Sequence, residues 1–362
     1  MKIALVITEL EPGGAERNLV KLATGFSHSG HEVTVISIGP VPKNEELPGI
    51  LERAGVAVVY LNCRSIWSFV RAVIKLRFSL RRLNPDVVQS FLYHANILTS
   101  LSNTNGVPHY VGLRVSDPRE RRYRRLAKYS SRWNGIICVS RDVEDFVRPF
   151  FSDSATPIFT IENGVDTIAV KEAAMQGWPA DLPKAEEPIV FIGRLDRQKG
   201  IDTLLGAVPK LLDHYERRHL YMIGDGPLKQ KIEEAVHKLD SKERVHIVGY
   251  RDDALSILSR AKLLLFPSRW EGMPNVIMEA MALGIPVCST PVDGVVELLG
   301  NESGQIYVRE SWATAASDML LLEPDQLQSI GHINSSVIQN RFTVQKMVGQ
   351  YLDIYERGNC HV

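Results

Sequence analysis

The chain reads as an α/β protein made of two doubly wound, parallel-sheet domains, and three observations predict this. Short β-branched runs alternate with segments of helical period along the whole length, the pattern of repeated βαβ units. From Lys171 to Pro188 that periodicity lapses and Gly177, Trp178, Pro179, Pro183 and Pro188 collect, as in an interdomain connection. The length of 362 residues suits two domains, and 44% hydrophobic with 23% charged residues supplies a core for each. Disordered and fibrous classes are thereby excluded.

The opening run Lys2 to Thr8 is stopped by Glu9, too early for a signal-peptide core, and suits a buried first strand. Ala15 to Ser29 follows as a helix, since Leu19, Leu22, Ala23 and Phe26 recur on one face and Gly30 closes it. The next strands are His31 to Ile38, Val56 to Leu61, Asp86 to Phe91, Tyr110 to Arg114, Gly135 to Ser140 and Ile158 to Glu162. Past the connection come strand Ile189 to Ile192, a helix from about Asp202, strand His219 to Ile223 and helix Leu228 to Leu239. Strands Val245 to Val248 and Lys262 to Phe266, a helix from Asn275 to Gly284, and strand Val287 to Ser289 follow. The last helix, Thr343 to Glu356, could pack on either half. The expected domains are 1–175 and 176–340, with 341–362 as the terminal helix. In such sheets ligands sit at the carboxyl ends of strands, so a cleft between the halves is the expected site.

Lys plus Arg (42) equals Asp plus Glu (42), so an anionic partner would have to find a local patch. Cys63, Cys138, Cys288 and Cys360 are scattered without metal-like spacing, which fits a reducing compartment. No apolar run approaches the ~18–20 residues of a spanning helix. A cytoplasmic protein is expected, either soluble or touching a membrane only peripherally.

The most informative stretch is Phe266-Pro267-Ser268-Arg269-Trp270-Glu271-Gly272-Met273-Pro274-Asn275-Val276-Ile277-Met278-Glu279. A buried strand runs into a short loop, and a helix then starts near Asn275. The N–H groups and dipole of a helix start cradle phosphate or another polar ligand. Glu271 in the loop and Glu279 past the first turn can both face one ligand there, accepting hydrogen bonds from sugar or ribose hydroxyls. Without that setting, two glutamates so spaced would read as a solvated pair. Phe191-Ile192-Gly193-Arg194-Leu195-Asp196-Arg197-Gln198-Lys199-Gly200 follows the first strand of the second half. Arg194 and Lys199 in its loop suit the neutralising of a diphosphate leaving group, or are ordinary surface cations. Pro12-Gly13-Gly14-Ala15-Glu16-Arg17 permits close backbone approach to a ligand but departs from G-x-G-x-x-G, so no dinucleotide fingerprint is present. Gly224-Asp225-Gly226-Pro227 also follows a strand.

Taken together, these motifs resemble the retaining glycosyltransferases of family 4, whose GT-B fold sets two Rossmann-like domains facing across a cleft. The resemblance runs from Gly13-Gly14-Ala15-Glu16-Arg17 through Asn163-Gly164-Val165-Asp166 and Arg194/Lys199 to Glu271/Glu279. It implies Arg194 and Lys199 on the donor diphosphate and Glu271 near the transferred sugar. It further implies the amides of Gly272, Met273, Pro274, Asn275 and Val276 around sugar and phosphate, insofar as each carries one. Glu279 would lie on the ribose, Gly14 near the donor from the first domain, and the final helix would cross back to that domain. Many members carry a His where Val111-Gly112-Leu113-Arg114-Val115-Ser116 stands here, so Arg114 occupies its place. Glu16, His94 and Arg114 are the acceptor-side candidates.

No Asp-x-Asp occurs and no Asp/His/Cys cluster has metal-ligand spacing, so neither metal nor other cofactor is expected; the nucleotide-diphosphate sugar is a substrate. Residues 64–132 hold 14 Lys and Arg against Asp86, Asp117 and Glu120. Trp67, Phe69, Val70, Val73, Ile74 and Phe78 lie among the first of these cations, as in an amphipathic basic helix on an anionic membrane. A lipid-linked acceptor or other glycan would fit; no nucleic-acid-binding module accompanies the patch. The expected reaction is metal-independent, retaining sugar transfer to a hydroxyl, in cell-surface polysaccharide or lipid-linked glycan synthesis. A sugar-nucleotide epimerase or phosphorylase on this fold, a two-lobed binding protein, or a silent nucleotide binder would share parts of the pattern.

Overall fold

The computed structural model describes residues 1–63, 68–103 and 106–359. Arg64, Trp67 and Cys360, named above, lie outside the described residues. The chain divides into two units. One comprises residues 1–164 with the C-terminal helix Val344–Asn359; the other is Val165–Thr343.

The first unit contains a parallel sheet in the order β3-β2-β1-β4-β5-β6-β7. Its strands are β1 Lys2–Ile7, β2 Glu32–Ser37, β3 Ala57–Tyr60, β4 Val87–Phe91, β5 His109–Leu113, β6 Gly135–Cys138 and β7 Ile158–Thr160. Successive side chains of a strand point to opposite faces, and β1 shows what that builds. Ile3, Leu5 and Ile7 pack with Leu19, Leu22 and Phe26 of the helix Gly14–His28 and with Tyr351 and Tyr355 of the C-terminal helix. Ala4 and Val6 face the other way, onto Ala72, Leu76 and Leu80 of the helix Phe69–Leu83 and onto Ala95 and Leu98. Both faces are covered, so the strands read as nearly unbroken apolar runs.

The second unit has a parallel sheet in the order β10-β9-β8-β11-β12. Its strands are β8 Glu187–Ile192, β9 Arg218–Ile223, β10 Val245–Gly249, β11 Leu263–Phe266 and β12 Val287–Ser289. The chain winds outward from β8 to β10, then returns to place β11 on the other side of β8, with Leu263 opposite Ile189. The loops after β8 and β11 therefore leave the sheet side by side, at the topological switch point where open α/β sheets bind ligands.

The domain boundary differs from the expected one: it falls after Gly164, not after residue 175, and the second unit runs to Thr343 instead of 340. The cause is the helix Thr167–Ala174. The Asp166 carboxylate caps it by accepting from the N–H groups of Ile168 and Ala169. Its Val170 and Ala174 are buried as it packs on the helices Ala254–Leu258 and Asn275–Ala282 of the second unit. Val165 N–H donates to the Phe342 carbonyl, tying the two ends of that unit together.

Candidate active site

In the second unit the loop after β8 carries Lys199 to within 2.6 Å of Glu271 in the loop after β11, Nζ donating to Oε1. The side chains are 18% and 9% exposed, and the ammonium also lies 5.3 Å from the centre of the Phe266 ring. A cation and a carboxylate are thus paired where little water competes, 72 residues apart in sequence.

Backbone contacts between the loops hold this pair. The Gln198 side chain donates to the Trp270 carbonyl at 2.9 Å, and its own carbonyl accepts from Arg269 N–H at 2.7 Å. Asp196 accepts from Lys199 N–H at 3.3 Å and stands 3.6 Å from the Arg194 guanidinium. Gly200, at φ +66°, lies so close to Pro267 that a Cβ would collide with the Pro267 carbonyl oxygen. Gly224 and Gly226 press in the same way on the backbone of Gly193 and Leu195, and Gly294 on that of Gly272. The Gly224-Asp225-Gly226-Pro227 turn therefore underlies the Arg194 loop, which its sequence only hinted at. Thr290 Oγ1 donates to the Ser268 carbonyl at 2.5 Å, fixing the β11 loop from its other side.

The other donor-side candidates of this unit lie on the same two loops and on the helix that follows the second. Gly272, Met273 and Pro274 are buried in the loop; Asn275 and Val276 open the helix Asn275–Ala282 and are half-buried. In a helix start the first-turn N–H groups point away from the ladder toward the preceding loop, here the one bearing Glu271. Glu279 is one turn on from Asn275, on the same helix face, and half-buried. Arg194 is placed differently from Lys199: its side chain is 71% exposed.

The remaining candidates are in the first unit. Gly14, the donor-side candidate of this unit, is exposed at the first position of its helix; of the acceptor-side candidates, Glu16 is buried on the first turn. Burial pushes the Glu16 carboxyl up to about 7, opposed by its own N–H and by the nearby Arg114. Arg114, just past β5, donates to the Asn163 side-chain oxygen and lies 5.9 Å from the centre of the Phe91 ring. Burial lowers its pKa, while Tyr351, Cys138 and Glu16 act in the opposite direction. Glu16 and Arg114 thus share one electrostatic neighbourhood. The contacts of His94 are with other groups: its residue is exposed overall, but its ring meets Tyr93 edge-on at 5.2 Å, and this partial desolvation together with the Arg122 charge lowers its pKa. Asn163 and Tyr351 were not singled out from the sequence. Asn163 lies in the quoted Asn-Gly-Val-Asp stretch, the one signal that could have drawn attention to it.

Among the described residues no group of three or more His, Cys, Asp or Glu could hold a metal ion, and no helix is long and apolar enough to cross a membrane.

Two family models match, one to each part of the chain: Glycosyltransferase Family 4 over residues 12–168 and Glycosyl transferases group 1 over residues 186–322. The lipopolysaccharide core biosynthesis glycosyltransferase LpsD of Rhizobium meliloti is 24% identical over 356 residues, 96% of each chain. Among solved structures, a sucrose-phosphate synthase from Thermosynechococcus elongatus superposes with a TM-score of 0.82 at 20% identity, covering 100% of both chains. Anabaena HepE, in complex with UDP and glucose, superposes with a TM-score of 0.80 at 18% identity over 98% of both chains. The match of both units to glycosyltransferase models, in the same two-sheet fold as these structures, establishes that the chain belongs to the group 1 glycosyltransferases of GT-B fold.

Proposed function

We propose that this glycosyltransferase moves a sugar from a nucleotide-diphosphate sugar to a hydroxyl of a glycan or lipid-linked acceptor, retaining the anomeric configuration and using no metal. The observation that carries the reading is the Lys199–Glu271 pair at the adjacent ends of β8 and β11. Charge develops on the diphosphate as the glycosidic C–O bond breaks, and a fixed cation placed there stabilises the transition state more than the ground state. Lys199 supplies that cation, with Arg194 reaching from the same loop. Pairing with Glu271 holds the ammonium in place before the donor arrives, so little reorganisation is left for the reaction itself.

Glu271 serves the sugar as a hydrogen-bond acceptor for its hydroxyls, Glu279 the ribose, and the amides at the start of the Asn275–Ala282 helix the phosphates. The acceptor oxygen attacks the face from which the nucleotide leaves. Its proton passes to the departing phosphate oxygen, so no separate protein base is required. Glu16 and Arg114 belong to the acceptor side, the guanidinium suiting an anionic or hydroxyl-rich acceptor. Similarity to a lipopolysaccharide core enzyme and to a protein seen with UDP and glucose supports a uridine nucleotide donor and a cell-surface glycan product.

A thermal-shift screen of nucleotide sugars, then mass spectrometry of products with lipid-linked acceptors, tests the activity. Proton NMR of the product linkage tests retention, and turnover after exhaustive chelation tests metal independence. An inverted linkage, or loss of activity on chelation with recovery on adding a divalent cation, refutes the corresponding part.

A further inference from the structure

The helix Phe69–Leu83 is apolar on two opposite faces. Ala72, Leu76 and Leu80 are buried against the sheet. On the solvent side Val70, Ile74 and Phe78, spaced four apart, keep 68%, 62% and 67% of their surface in water. With about 100° per residue, Arg81 falls within that stripe and Arg71 and Arg82 fall along its flank. All three arginines are exposed. Arg77, beside Val70, and Lys75, on the far flank, reach back toward the protein and donate to the carbonyls of Leu101 and Leu61, at 2.9 and 2.6 Å. The helix has no acidic residue to offset these charges.

A merely solvated cationic face needs no large apolar side chains. A polyanion such as nucleic acid would satisfy the arginines and leave the stripe wet. A second copy would cover the stripe but set arginine against arginine. An anionic bilayer meets both demands, because apolar groups enter the boundary between headgroups and acyl chains while cations stay at the phosphates. We propose that the outer face of the Phe69–Leu83 helix docks the enzyme on an anionic phospholipid membrane. Val70, Ile74 and Phe78 insert, and Arg71, Arg81 and Arg82 pair with lipid phosphates. The docking is independent of which sugar is transferred or to what.

Flotation of the full-length protein with vesicles tests it. The protein rises with vesicles of phosphatidylcholine mixed with phosphatidylglycerol, stays down with phosphatidylcholine alone, and is released as salt is raised. The combined Val70→Ser, Ile74→Ser and Phe78→Ser variant loses at least about 100-fold in partition coefficient, three exposed apolar side chains being removed. The combined Arg71→Gln, Arg81→Gln and Arg82→Gln variant loses at least about tenfold and most of its salt dependence. Both variants melt close to the parent, since most of the surface they change faces solvent. A single Ile74→Glu substitution repeats the test if the triple variant melts early. Equal flotation of the apolar variant and the parent, equal binding to both vesicle types, or a concentration-dependent dimer abolished by the apolar variant overturns the proposal.

Discussion

Removing the ammonium of Lys199 is the most direct perturbation of the proposed chemistry. At 2.6 Å from Glu271, with 9% of the Glu271 side chain exposed, Lys199 offsets a carboxylate that has little water to replace it. Leaving such an acceptor without its donor costs about 1–3 kcal/mol. In a unit the size of Val165–Thr343, about 2–4 °C of melting temperature accompanies each kcal/mol, so Lys199→Ala melts several degrees early. Loss of a charge-stabilising group in the transition state costs about 100- to 1000-fold in kcat. The two effects separate in a double-mutant cycle with Glu271→Gln, assayed by nucleotide release over substrate concentration and by thermal melting. The double variant regains melting temperature, because the stranded charge is gone. It regains no turnover, because no cation faces the leaving group. Undiminished kcat in Lys199→Ala, or recovery of turnover in the double variant to the Glu271→Gln level, would reduce Lys199 to a structural partner.

Three further outcomes are expected. Gln198→Ala lowers kcat about 5- to 10-fold by releasing the Trp270 carbonyl, and Gln198→Glu lowers it further, because a carboxylate then faces that carbonyl; equal kinetics of the two variants would exclude a positioning role. Gly200→Ala, at φ +66° and against the Pro267 backbone, costs at least about 2 kcal/mol by urea denaturation. Gly206→Ala, in a helix with open space around its Cβ position, gains about 0.5–1 kcal/mol; a similar effect at both sites would refute the close-packing account. Glu16, raised by burial from 4.5 to about 7, binds its proton more tightly folded than unfolded. It therefore subtracts stability as pH rises from about 4.5 to 7, by about 3 kcal/mol in all, and Glu16→Gln should melt higher than the parent above pH ~7 and alike below pH ~4.5. A parallel pH dependence of the two proteins would contradict the burial.

The strands were readable because a parallel sheet covered on both faces writes unbroken apolar runs, as in Lys2–Ile7 and Leu263–Phe266. The helix beginning at Asn275 was readable because the preceding loop holds Gly272 and Pro274, which punctuate. The boundary near residue 165 was not, because the helix Thr167–Ala174 has an ordinary apolar pattern that does not say which core receives it. At the site, local runs signalled Lys199 and Glu271 separately, and a known family pattern joined them. What holds them, the Gln198–Trp270 and Gly200–Pro267 contacts, spans some 70 residues and involves backbone atoms that no side-chain pattern reports. Arg114 was flagged as the occupant of a histidine's usual place, but its bond to Asn163 crosses from β5 to the segment after β7. A single chain read along its length gives no measure of such a distance.

The glycine-lined seams at Gly193/Gly224, Leu195/Gly226, Gly200/Pro267 and Gly272/Gly294 make the donor-side turns one interlocked block. Main chain abuts main chain there, with no side chain between to absorb a misfit. A replacement turn that carries a side chain or an extra residue at one of these positions would meet a seam with no slack. If these turns hold the donor as proposed, its preference is portable only when they are grafted as a set, and piecemeal chimeras should misfold before they change sugar.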